Sequence, residues 1–346
     1  MTQPMPHATS QSNAPCDAPG PAGQPAPAAL PDPGVAPDPG VAPDPTALRH
    51  ALDAAGYLVD EGLATALTLA VGLGQPLLLE GEPGVGKTEA AKALARVRGS
   101  ELIRLQCYEG VTAAEALYEW NYQRQILAIR LAESRHESLR DADLFTEEFL
   151  QERPILRAVR ARSEVPPVLL IDEIDRADDE FEALLFEFLG EASVTVPEIG
   201  TFRATRRPVV VLTSNRSREL HDALRRRCLY HWIDFPAPGR MAEILRRSVP
   251  SAGEALISST SAFVQQVRQR DLEKAPGLAE AIDWLQALTL LGVAELTGDA
   301  IVRTMGALVK TPDDGEAVRG SLGEIDIAAP AAPAAPAAPA APAAPG

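Results

Sequence analysis

The chain has 346 residues, 32 Lys+Arg against 48 Asp+Glu, a formal net charge of -16, and 46% hydrophobic residues. That is length enough for about two domains with a sizeable core, and the acidic balance argues against a generic nucleic-acid binder, since a phosphate backbone demands clustered positive charge. No apolar run is long enough to span a membrane, and the first residues lack the basic start and apolar core of a secretory signal, so the expectation is a cytoplasmic protein. Cys16, Cys107 and Cys228 are far apart and form no CxxC pair, which argues against a disulfide framework or a structural zinc site.

Thirteen of the 31 prolines fall in residues 1–45, and six more in 328–346, where AAP is repeated six times. Proline at that density forbids helices and sheet ladders, so both stretches (1–45 and 311–346) are expected to be disordered or extended polyproline II tails. Thr46 is placed to cap a helix running to about Leu73. Short apolar runs then follow at Pro76–Leu79, Leu102–Leu105, Val168–Ile171, Val209–Leu212 and Leu229–Ile233, each bounded by turn residues. Such runs read as strands buried on both faces, and the helical stretches between them complete an α/β domain over 46–237 with a five-stranded parallel sheet. After Pro236 the strand signals stop, and 238–310 reads as a small all-α domain.

The loop after the first strand reads Gly81, Glu82, Pro83, Gly84, Val85, Gly86, Lys87, Thr88, a complete GxxxxGK[ST], with Glu89 opening the next helix. Its strand–loop–helix setting is what a phosphate loop requires. Glycines turn backbone N–H groups inward, Lys87 reaches the β- and γ-phosphates of ATP, and the Thr88 hydroxyl is placed for Mg²⁺. The competing reading is a chance glycine-rich turn. The strand at 168–171 ends in Asp172 and Glu173, at the carboxyl edge where phosphates sit. Asp172 is read as a Mg²⁺ ligand and Glu173 as the general base for the attacking water; the plainer alternative is a pair of helix-capping acids. The strand at 209–212 leads to Asn215, which can position that water or sit in an ordinary turn. Residues 203–227 hold eight arginines against two acids, and the run Arg225–Arg227 precedes the last strand. A guanidinium there can stabilise a neighbour's γ-phosphate, or simply form a solvated basic face.

These motifs resemble the AAA+ ATPases and, more narrowly, the MoxR family. The stretches GEPGVGKTEAAKALA, LLIDEIDRADDEFEALLFEFL and LTSNRSRELHDALRRRCLYHWIDFP look most like the branch that includes the carbon monoxide dehydrogenase accessory ATPase. The resemblance covers about residues 46–310. It implies a homo-oligomeric, usually hexameric ring with ATP bound between subunits, acting as a chaperone-like remodeller that matures a metalloenzyme client, often with a partner carrying a von Willebrand factor A domain. It also implies Walker A at Gly81–Thr88, Walker B at Asp172 and Glu173, sensor 1 at Asn215, and an arginine finger at Arg227 with Arg226 as second candidate. Residues 113–135 fit the family's insertion within helix 2, which makes Tyr118, Trp120 and Tyr122 candidates for client contact or for packing. One departure stands out: the stretch 273–280, where the second sensor is commonly an arginine, offers only Lys274, a point charge in place of a bidentate fork. Rival readings are a nucleotide-gated scaffold with little turnover, a nucleic-acid motor supported only by the arginine cluster, and a P-loop phosphotransferase.

Overall fold

A computed structural model describes residues 44–325, and the readings made of 1–43 and 326–346 lie outside the described residues. The first helical stretch is two helices, α1 (Pro45–Ala54) and α2 (Glu61–Leu73), and the cap of α1 is Asp44, whose carboxylate accepts the Thr46 N–H, rather than Thr46 itself. The break has a local cause. Gly56 takes a left-handed conformation (φ 86°), and Asp60 starts a new helix by accepting the Leu63 N–H at 2.7 Å.

The order then runs β1 (Leu77–Gly81), α3 (Lys87–Arg98), β2 (Leu102–Gln106), α4 (Ala113–Ala116), β3 (Tyr118–Trp120), α5 (Tyr122–Arg135), α6 (Asp141–Leu144), β4 (Leu150–Glu152), α7 (Pro154–Arg160) and β5 (Val168–Asp172). After it come α8 (Asp179–Glu191), β6 (Ser193–Val196), β7 (Gly200–Arg203), β8 (Val209–Ser214), α9 (Asp222–Arg225) and β9 (Leu229–Ile233). Five of these strands form one parallel sheet in the order β2-β5-β8-β1-β9. Their side chains alternate between two cores, which is why the runs are apolar throughout. Leu78, Leu169, Ile171, Val210 and Leu212 pack with α7 and α8 on one face; Leu77, Leu79, Val168, Leu170, Val209 and Val211 pack with α1, α2 and α3 on the other. Each such leucine or valine contributes about 1.5–3 kcal/mol by leaving water.

The segment expected as an insertion, 113–135, begins with the short helix α4, passes through the strand β3 and ends in the helix α5. β3 and β4 form an antiparallel ribbon, with α5 and α6 between them, and α7 returns to the sheet. A second ribbon, β6–β7, follows α8. Trp120, Phe149 and Val196 join the two ribbons in a small core, with Phe145 edge-on to Trp120 at 5.1 Å. Trp120 is thus a packing residue and Tyr118 is half-buried, whereas Tyr122 stays exposed.

The helical part comprises α10 (Pro238–Ser248), α11 (Glu254–Arg268), α12 (Leu278–Leu290), α13 (Gly298–Leu308) and α14 (Pro312–Ser321). Its core is centred on Trp284 and Phe263, and the buried indole donates to the Thr304 hydroxyl at 2.7 Å. A tail expected from residue 311 instead begins with α14, capped by Thr311, whose Val318 is fully buried in that core together with Ile325. A lone buried valine between Asp, Glu and Gly residues carries little helical periodicity, so this helix has no clear sequence signal. No helix among the described residues is long and apolar enough to cross a membrane.

Candidate active site

The site forms where β1, β5 and β8 end. Gly81 closes β1, and a β-carbon there would lie 2.4 Å from the Ile233 carbonyl oxygen, so only glycine lets the chain leave the sheet at this point. Gly84 (φ 77°) and Gly86 (φ 97°) then turn the loop into α3. Gly86 is the N-cap of α3 and supplies no side-chain acceptor. Among the described residues, no backbone hydrogen bond takes up the N–H groups of Val85, Gly86, Lys87 or Thr88. Those donors, at the positive end of a twelve-residue helix, are a fit for phosphate. Lys87 is buried and donates to the carbonyl oxygens of Gly81 (2.8 Å) and Glu82 (2.7 Å), holding the loop closed around its own ammonium. Burial lowers its pKa to about 8, against the opposing pull of Asp175, Asp172, Glu173 and Glu82.

Asp172, at the end of β5, is almost fully buried and fully engaged. Its Oδ1 accepts the hydroxyls of Thr88 (2.9 Å) and Thr213 (2.6 Å), and its Oδ2 accepts Arg104 Nη2 (2.6 Å) and Nε (3.1 Å). Because Thr88 donates to Asp172, its lone pairs stay free. The Thr88 hydroxyl is a hard oxygen donor that suits Mg²⁺ completed by phosphate and water, and Asp172, its own oxygens engaged, would act on the ion by orienting Thr88 and by its charge. Glu173 follows in a left-handed conformation (φ 56°), a strain of about 1–3 kcal/mol for a non-glycine residue. It is held there by its own N–H, which donates to Thr213 Oγ1 at 2.9 Å, and its carboxylate, partly exposed, meets Arg176 at 3.2 Å. Thr213 therefore ties both acids to β8.

Asn215 lies just past β8, half-buried. Its loop is fastened by Asp175, whose Oδ2 accepts the N–H groups of Asn215 (3.2 Å) and Ser217 (2.8 Å) and the Ser217 hydroxyl (2.6 Å). The structure therefore brings the loop Gly81–Glu89, Asp172, Glu173 and Asn215 to one edge of the sheet; Glu89, on the first turn of α3, pairs with Arg96 and Lys92.

The three arginines before β9 divide sharply. Arg225 grips Glu80, a buried carboxylate at the end of β1, with 2.9 Å contacts to both oxygens; Tyr230 adds a hydrogen bond at 3.2 Å and Arg216 an ion pair at 3.7 Å. Arg227 lies over the Phe186 ring at 5.0 Å and donates to the Ala223 carbonyl. Arg226 has 82% of its side chain exposed, and among the described residues its one ion pair is with Asp222 at 3.9 Å. Both finger candidates are exposed, and of the two Arg226 is the one less held by contacts to its own chain. Lys274 is exposed, and its backbone N–H, like that of Glu273, donates to Asp314 on α14.

Arg104, Thr213 and Glu80 carry no local motif, and Arg225 reads only as part of the arginine run. Asp175 lies inside the DEID run, and its acidity beside a strand end was the one available signal.

Residues 76–228 match the family described as AAA domain (dynein-related subfamily), so the α/β part carries an AAA+ domain. No curated protein sequence matches the chain. Among solved structures, a proline-to-glycine mutant of Thermotoga maritima RuvB aligns with a TM-score of 0.44 at 17% identity, over 79% of this chain and 72% of that one. A threonine-to-valine mutant of the same protein gives 0.43 at 18%, over 78% and 71%. The structure titled as the RuvB Holliday junction branch migration motor from that organism gives 0.41 at 18%, over the same shares.

Proposed function

We propose that the chain is an AAA+ ATPase of MoxR type that binds Mg²⁺ and ATP at the Gly81–Glu89 loop and hydrolyses the nucleotide between subunits of a homo-oligomeric ring. The observation that carries this reading is the Thr88–Asp172–Thr213–Glu173 cluster set against the N–H groups of Val85–Thr88, which have no backbone acceptor among the described residues. In this reading Lys87 and the loop N–H groups bind the phosphates, Glu173 takes the proton of the attacking water, and Asn215 orients that water. Mg²⁺, when bound by Thr88 with Asp172 behind it, neutralises phosphate charge. Arg226, with Arg227 as the alternative, would reach the neighbouring subunit's γ-phosphate. The work is remodelling of a protein client. The branch resemblance points to a metalloenzyme such as a molybdenum-containing dehydrogenase, acting with a von Willebrand factor A-domain partner.

A second reading, a nucleotide-gated scaffold with little turnover, draws support from Lys274, whose exposed side chain provides no guanidinium fork in 273–280. Phosphate release measured across a protein concentration series, with light scattering on the same samples, separates the two. Specific activity that rises as a nucleotide-stabilised ring forms supports the shared-site ATPase. Flat, negligible turnover at all concentrations contradicts it and favours the scaffold.

A further inference from the structure

The helical part touches the phosphate loop itself. The Leu278 N–H, at the start of α12, donates to the Gly84 carbonyl oxygen at 3.2 Å. A β-carbon on Gly277 would lie 3.0 Å from the Pro83 oxygen and 3.1 Å from the Gly84 α-carbon, so two backbones meet here, with the Glu280 carboxylate, which accepts the Gly277 N–H at 3.0 Å, beside them. Arg268, the last residue of α11, braces this contact. One arm of its guanidinium donates to the Pro276 carbonyl at 2.6 Å, and the other pairs with the Glu82 carboxylate on the loop. The guanidinium also stacks on Phe235, in the connection between β9 and α10, at 3.7 Å from the ring centroid. One largely buried side chain (12% exposed) thus touches the loop, the start of α12 and the joint between sheet and helical part.

We infer that Arg268 and the Gly84–Gly277 contact form a strut through which the helical part positions the phosphate loop, the task for which 273–280 has no arginine. The inference rests on the nucleotide-binding reading above. In a trans peptide the C=O and the following N–H point in opposite directions, so fixing the Gly84 carbonyl toward α12 fixes the Val85 N–H away from it. Val85 is one of the loop donors with no backbone acceptor. The orientation of α12 therefore sets the direction of a phosphate-binding donor, and phosphate on that donor must in turn favour one orientation of α12, because coupling between sites is reciprocal. Arg268 is a positioning residue, acting on the nucleotide only through the loop.

Hydrogen exchange of the full chain, with and without Mg²⁺ and a non-hydrolysable ATP analogue, tests this. In the wild type the analogue is expected to slow exchange both in peptides covering 81–90 and in peptides covering 268–290, the latter by about fivefold or more. Arg268→Ala is expected to keep the slowing in 81–90 while the slowing in 268–290 falls below about twofold. Glu82→Ala, which removes the acceptor of the same pair from its exposed loop end, is expected to reduce it in the same direction, and serves if Arg268→Ala does not fold. Full nucleotide-induced slowing of 268–290 in a folded variant overturns the strut while leaving nucleotide binding intact. No slowing of 81–90 in the wild type overturns the nucleotide-binding reading and the strut with it.

Discussion

Among the described residues, the buried Lys87 ammonium has two hydrogen-bond partners, both carbonyls of its own loop. Its pKa of about 8 gives nucleotide binding a pH dependence of definite sign. Phosphate favours the charged lysine, so binding above that pKa requires proton uptake. Affinity for an ATP analogue should be level from about pH 7 to 8 and weaken by up to about tenfold per pH unit above it, read by fluorescence titration. Affinity that rises or stays flat up to about pH 9.5 contradicts a phosphate-facing Lys87. Arg225 makes a different kind of prediction. Its removal leaves the buried Glu80 carboxylate with Tyr230 and a distant Arg216 alone. Arg225→Ala should therefore lower unfolding stability by about 2 kcal/mol in urea denaturation. An unchanged midpoint would show that solvent already satisfies Glu80.

The loop after β8 owes its position to a carboxylate on another element. Asp175 Oδ2 gathers three donors from 215–217, while its buried Oδ1 has no hydrogen-bond partner among the described residues. Asparagine can supply one acceptor oxygen in the Oδ2 place, whereas alanine cannot. Asp175→Asn should keep most ATP turnover, and Asp175→Ala should lose about tenfold or more in kcat with nucleotide binding retained. Equal loss in both variants would mean the charge matters rather than the anchoring. The elements themselves were unequally legible. The five sheet strands stand out because both faces are buried, which makes each a continuous apolar run, and their ends matched the expected ones to within two residues. The ribbon strands β3 and β4, three residues each, and the hairpin β6–β7 alternate with polar residues and gave no such signal. The phosphate loop and the DE pair were readable because their chemistry sits in contiguous residues. Arg104 with Asp172, Arg225 with Glu80, and Arg268 with Glu82 join positions 68, 145 and 186 residues apart, and only the folded sheet and its helical neighbour bring them together.

Assembly is where the arginine run matters. Arg225 is bound within its own chain and Arg227 is laid on Phe186, leaving Arg226 to extend outward. If the site is shared between subunits, Arg226→Ala should cost on the order of a thousandfold in turnover without weakening nucleotide binding. Mixing it with Glu173→Gln subunits should then restore activity that neither variant has alone, because some interfaces regain both groups. Arg227→Ala should cost about 1 kcal/mol of stability through its lost ring contact, with a smaller effect on turnover. A mixture as inactive as its components would place hydrolysis within single chains.

The most direct measurement is steady-state phosphate release by the wild type and by Glu173→Gln, alongside binding of an ATP analogue to both. Hydrolysis at the β5 edge predicts a fall of about a hundredfold to ten-thousandfold in release for Glu173→Gln with binding retained. Undiminished release would mean that Glu173, held in its left-handed turn by Thr213, is not the base.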